Sequence, residues 1–82
     1  MKHEIKTHIN YFKKVWDGSK NFEIRKNDRD YSEGDRVHLL EWNKSNREYT
    51  GRRVEAIIGY VCDYEQKDGY VVFSLLGISK FK

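Results

Sequence analysis

The stretch Gly18-Ser19-Lys20-Asn21-Phe22-Glu23-Ile24-Arg25 separates two kinds of periodicity, and the fold follows from the change between them. Upstream, Ile9, Phe12, Val15 and Trp16 recur at three- and four-residue spacing, which sets them on one face of a helix over residues 8–17. Thr7 or Asn10 is expected to cap its start. Lys13 and Lys14 fall in the last turn, where the negative helix end favours cations, and Gly18 is placed to let the chain leave the helix. After Gly18 the period drops to two. Phe22 and Ile24 are expected on one side, with Asn21, Glu23 and Arg25 on the other, which predicts a strand with an apolar and a charged face.

Working outward, His3-Glu4-Ile5-Lys6 reads as a short opening strand. Asn27-Asp28-Arg29-Asp30 is a polar loop and Ser32-Glu33-Gly34-Asp35 a turn. Strands follow over Arg36–Trp42 and Glu48–Tyr64, joined by the hairpin tip Asn43–Asn46, the second bent or bulged at Gly51 and Gly59. A polar connection over Asp63–Gly69 leads to a last strand, Tyr70–Leu76, which Ile78–Phe81 extends. One early helix and several strands predict an α+β, mainly β fold in a single domain over residues 1–82. So small a strand set must bury one face and hide its edges. An antiparallel β-barrel does both, with the N-terminal amphipathic helix plugging one opening. The expected core is Phe12, Val15 and Trp16 from the helix, Phe22 and Ile24 after it, Val37 and Leu39, then Val54, Ala56 and Ile58, and finally Val71, Phe73 and Leu75.

Composition narrows the function classes. Hydrophobic residues make up 38% and aromatic ones 15%, enough for a core in a chain that is not disordered. Cys62 is the only cysteine, so neither an intramolecular disulfide nor a cysteine-based zinc site is available within one chain, as befits a reducing cytoplasm. There is no long apolar run for a membrane span, and the charged opening Met1-Lys2-His3-Glu4 lacks a secretory core. His3, His8 and His38 are scattered without metal-ligand spacing, and no phosphate loop or other cofactor motif is present, so no metal and no cofactor are expected. The net charge of +3 is mild, but residues 1–29 hold eight basic and four acidic side chains while residues 30–82 hold eight and nine. All the positive excess thus lies around the helix and the strand after it. It marks either an anion-facing patch or a solvated face that blocks edge pairing.

Within the central stretch Glu23 and Arg25 are two apart and share a face, and an arginine beside a carboxylate fixes it as an ion. Lys20 close by would bind an anion, or act as a base if burial lowered its pKa. The plainer account is a surface ion-pair ladder.

The run G-S-K-N-F-E-I-R resembles the G-x-K-x-x-E-x-R signature of the ASCH (activating signal cointegrator homology) domain, part of the superfamily of PUA-like β-barrels. The helix Asn10–Trp16 and the blocks Lys26-Asn27-Asp28-Arg29-Asp30, Glu33-Gly34-Asp35, Leu40-Glu41-Trp42 and Tyr49-Thr50-Gly51-Arg52 are similar to a short ASCH-like branch in phages and Gram-positive bacteria. The resemblance implies a PUA-like barrel with an RNA-binding cleft beside it, lined by the signature residues, here Lys20, Glu23 and Arg25. One ASCH branch deacetylates acetylcytidine with a Lys, a Thr three residues later and a distant Glu. Lys20 matches the first, Glu23 stands where the Thr would be, and Glu65 lies in a segment too short to align with the last.

Other residues join the candidates. Arg29 is expected either to reach the same cleft and contact phosphate or simply to sit in an Asx-type turn. Trp42 and Tyr49 offer stacking faces for unpaired bases, or pair with each other across the hairpin. Tyr70 is placed at the cleft border by the resemblance alone. Cys62 shares the phase of Val54, Ala56, Ile58 and Tyr60, which predicts a buried structural thiol. The leading expectation is an RNA- or nucleotide-binding module. The alternatives are a hydrolase of modified nucleosides or RNA with Lys20 and Glu23 as acid and base, and a protein-interaction module.

Overall fold

The computed structural model describes residues 1–82. Its elements are β1 (Lys2–His8), α1 (Ile9–Trp16), β2 (Phe22–Lys26), β3 (Arg36–Asn43), β4 (Glu48–Cys62) and β5 (Tyr70–Phe81). The strands form one sheet in the order β1-β3-β4-β5-β2, curled into a half-barrel around a single core. The chain is mainly β, with one short helix, as its periodicity predicts.

One pairing departs from the antiparallel expectation. β1 runs parallel to β3, with Lys2 opposite Arg36 and His8 opposite Trp42. The chain between them, α1 and β2 with their loops, is the long crossover that a parallel pair requires. β1 is also longer than its sequence suggested. Its inward positions are His3, Ile5 and Thr7, so only one apolar residue marks the buried face. His3 stays satisfied inside because its Nε2 meets Asp35 Oδ2 at 2.9 Å.

The expected caps at Thr7 and Asn10 are not used. β1 passes into α1 at His8, which caps with backbone geometry alone. The Thr7 hydroxyl is buried and donates to the Ile5 carbonyl instead. The other end of α1 follows the sequence. Lys13 and Lys14 occupy its last turn, and Gly18 takes φ +88 while its N–H donates to the Val15 carbonyl.

Bulges set the curl. Leu40 faces Arg53 while Trp42 faces Tyr49, so β4 carries extra residues around Gly51. Ile58 faces Leu75 while Val61 faces Phe73, which places another bulge at Gly59 and Tyr60. A side chain at Gly59 would collide with Ser74. The Gly59 bulge flips the alternation, so Tyr60 points to solvent, Val61 packs on the core, and Cys62 is half-buried rather than enclosed.

Ten of the expected core residues are buried, and Ile5 and Tyr31 join them. Trp16 packs partly against the core. Phe22 and Ile24 are the exception, at 40% and 53% exposed, while Glu23 between them is 2% exposed. The orientation of β2 is the reverse of its polarity. β2 pairs only with β5, and the register sets Glu23 opposite Phe73 and Arg25 opposite Val71. Partners across a pair share a face, so the longer apolar face of β5 decides which β2 residues turn inward.

Candidate functional site

The inversion of β2 builds the site. Glu23 enters the half-barrel and must be answered there, because an unpaired carboxylate cannot remain charged away from water. Lys20 Nζ reaches Glu23 Oε2 at 2.7 Å, and Arg25 Nε donates to Glu23 Oε1 at 3.0 Å. Lys20 is held in place by the helix end, since its backbone N–H donates to the Lys14 carbonyl at 2.9 Å. Lys20, Glu23 and Arg25 therefore converge.

Arg25 does more than pair with Glu23. Its Nη2 donates to the Lys6 carbonyl and to Thr7 Oγ1, both at 3.3 Å. Lys6 and Thr7 belong to β1, the opposite edge of the sheet, so one guanidinium latches the two edges of the curl together. A cleft of ≈ 650 Å³ opens along this seam. Lys6, His8 and Tyr11 form one bank. Lys20, Phe22, Ile24 and Lys26 stand on the other, with Tyr70 beside them.

Four cationic residues, Lys6, Lys20, Arg25 and Lys26, line this cleft beside a single carboxylate, Glu23. Donor geometry sorts them. A guanidinium has five N–H donors, and those of Arg25 on Nε and Nη2 go to Glu23 and β1, leaving Nη1 without a protein partner. An ammonium has three donors, and Lys20 commits one of them, to Glu23. Its Nζ also lies 5.6 Å from the Tyr11 ring centroid and 5.4 Å from that of Phe22. The arrangement presents positive charge at the floor of a concave site and aromatic faces at its rim, and is suited to a flat or extended anion.

The remaining candidates separate. Tyr70 lines the cleft. Arg29 is exposed and does not line it; it sits in a turn where Asn27 Oδ1 accepts from the Tyr31 N–H at 2.9 Å and Asp30 has φ +52. The expected phosphate contact from Arg29 is therefore not supported by its position. Trp42 and Tyr49 pack edge-to-face at 4.9 Å across the β3–β4 hairpin and stand outside the cleft, which favours pairing with each other over base stacking. One Trp42 face is covered by Lys6 Nζ at 4.3 Å.

Sequence reasoning missed Lys6, His8, Tyr11, Phe22, Ile24 and Lys26 as cleft residues. The basic excess of residues 1–29 pointed to the two lysines. Tyr11, off the apolar stripe of α1, was the one further trace. Phe22 and Ile24 left none, because both read as core.

A second carboxylate, Glu41, is also buried, with no sign of it in its sequence neighbourhood. Glu41 is 1% exposed and receives Arg52 through Nε and Nη2, each at 2.8 Å, and Thr50 Oγ1 at 2.5 Å. These hydrogen bonds, the arginine's foremost, hold the Glu41 carboxyl below the usual carboxylate range. The Arg52 guanidinium also lies over Trp16 at 4.5 Å from the ring centroid and ties α1 to the hairpin. The sequence blocks Leu40-Glu41-Trp42 and Tyr49-Thr50-Gly51-Arg52 meet here.

Residues 2–75 match the family model described as "Domain of unknown function (DUF3850)". An uncharacterized 12.9 kDa protein encoded in the GpA 3' region of Escherichia phage P2 is 42% identical over 77 residues, covering 92% of this chain and 69% of the phage protein.

Proposed function

We propose that this chain, which belongs to the DUF3850 family, is a small RNA- or nucleotide-binding module that holds phosphate in the cleft between β1 and β2. The observation that carries this reading is the meeting of Lys20, Glu23 and Arg25 in one concave site, with Lys6 and Lys26 on its banks. Lys20 grips the anion with its uncommitted donors. Glu23 fixes the rotamers of Lys20 and Arg25, and Arg25 adds its Nη1 while holding the seam. The likeness of G-S-K-N-F-E-I-R to the ASCH signature supports the same reading, and with it a PUA-like kinship for the half-barrel; the single cysteine, Cys62, fits a cytoplasmic setting.

Phosphate binding by a few cations is steeply salt-dependent, with a slope of about −0.7 in log K against log salt for each phosphate held on a single strand. Titration of labelled single-stranded RNA at stepped salt tests the proposal. Binding at low salt with a slope near two contacts, lost in Lys20→Ala, is the expected result. An unbound strand at low salt, or a Lys20→Ala protein that binds like the wild type, sinks it.

The 2.7 Å contact between Lys20 and Glu23 favours one second reading, a hydrolase of modified nucleosides in which this pair moves a proton. Time courses with acylated nucleosides, wild type against Glu23→Gln, decide it: product formed by the wild type and abolished in the variant supports catalysis.

A further inference from the structure

Two rings at the cleft rim are left in water by the fold. Tyr11 is 60% exposed on α1, and Phe22 is 40% exposed on β2. They come from different elements and meet only at Lys20, whose Nζ stands 5.6 and 5.4 Å from their centroids. Phe22 owes its exposure to the same register that buries Glu23, so the charged floor and the aromatic rim come from one placement of β2. A third ring, Tyr70, lies half-buried in the cleft.

Exposed aromatic faces interleaved with cations match a ligand that is flat and apolar on its faces and anionic along its edge. An unpaired nucleobase with its phosphate has that form. In a duplex the base faces are hidden in the stack, so rings can engage them only when the strand is single. The volume, ≈ 650 Å³, falls in the size class of small-molecule sites, about 300–1,000 Å³, and suits a nucleotide or two. An acidic peptide would satisfy the lysines but would leave both rings without a flat partner.

We infer that Tyr11 and Phe22 form a stacking subsite for an unpaired base of single-stranded RNA, with Lys20 between them holding the adjacent phosphate. This inference rests on the anion-binding reading of the same cleft.

Fluorescence anisotropy tests it with a labelled RNA of about eight nucleotides, within the range one small domain covers. The other probes are the same strand with abasic sugars, its duplex, and a glutamate-rich peptide. Both rings are partly exposed, so Tyr11→Ala and Phe22→Ala should fold, and thermal melting checks that they do. Each variant is expected to weaken the intact strand roughly tenfold, to leave the abasic strand unchanged, and to recover when Phe22→Tyr or Tyr11→Phe restores a ring. The duplex is expected to bind no better than the abasic strand. If the ring variants bind the intact strand like the wild type while Lys20→Ala still weakens it, the stacking subsite is wrong and the phosphate cleft stands. If no RNA binds, both readings fall together. If the peptide binds as tightly as the strand, the occupant is a protein and the inference is overturned.

Discussion

Glu23 and Glu41 are buried to nearly the same degree, 2% and 1% exposed, and each accepts hydrogen bonds from an arginine. Their surroundings differ. Glu41 takes both arms of the Arg52 fork and the Thr50 hydroxyl, while two aromatic rings lie against the guanidinium. One carboxylate meets one guanidinium there, and the cluster holds helix to hairpin. Glu23 divides its oxygens between Lys20 and Arg25 in a cleft where cations outnumber it. Burial with one matching cation makes a staple, whereas burial beneath several cations makes, on the proposed reading, an anion site. The same residue types serve both ends, and the number of cations gathered around each carboxylate tells them apart.

The comparison breaks most sharply at Arg52. Arg52→Ala leaves Glu41 as a buried carboxylate without its fork, which costs about 3–5 kcal/mol. For a domain of this size that lowers Tm by at least about 12 °C. Thermal denaturation measures it, and an unchanged Tm would remove the staple from the account. At a temperature where the variant is folded, its affinity for RNA should equal the wild type's.

Lys20→Ala should do the reverse. Affinity for a phosphate-bearing strand falls about tenfold while stability changes by no more than about 1 kcal/mol, because Lys20 is partly solvated and Arg25 still answers Glu23. A loss of stability matching that of Arg52→Ala would make both clusters staples.

Acid titration sharpens the same contrast. The depressed folded pKa of Glu41 means that its contribution is fully present above the ordinary glutamate value of about 4.3. It is lost as pH falls through the lower folded value. Asp35 and Glu55, each also lowered first by a side-chain hydrogen bond, from His3 and Arg53 respectively, act in the same direction. Stability followed by urea denaturation should decline below about pH 4.3. The decline should be shallower in Arg52→Ala, and an identical pH dependence would show that the pair is not what acid breaks.

The smallest effect belongs to the latch. Thr7→Val removes one of the acceptors of Arg25 Nη2 but leaves the Lys6 carbonyl, so the loss is about 1 kcal/mol in stability and about twofold in affinity. Equilibrium unfolding and the same anisotropy assay check both numbers. No change in either would mean that Lys6 alone closes the seam.

Much of this was legible before the structure. The helix over Ile9–Trp16 and the strands after it follow from spacing, and the bulge positions at Gly51 and Gly59 were marked by the glycines. Lys20, Glu23 and Arg25 stood out because their types and spacing suit an ion-paired cluster. The face of β2 is not legible, since Phe22 and Ile24 read as core on their own strand while the deciding apolar face lies some fifty residues away on β5. The length of β1 was hidden by inward polar residues satisfied through distant partners, as His3 is by Asp35. Cys62 departs from its expected burial because the Gly59 bulge advances the alternation by one residue.

Local sequence by itself settled the order and kind of the elements, the helix end that positions Lys20, and the basic bias of the first third of the chain. Those properties arise among near neighbours, through backbone geometry and side-chain period. Tertiary structure alone decided that Glu23 turns inward, that Arg25 reaches across to β1, and that Tyr11 and Phe22 share one rim. Each depends on which strands become neighbours when the sheet curls. That choice is set by the burial of the whole apolar face, which no short window of residues contains.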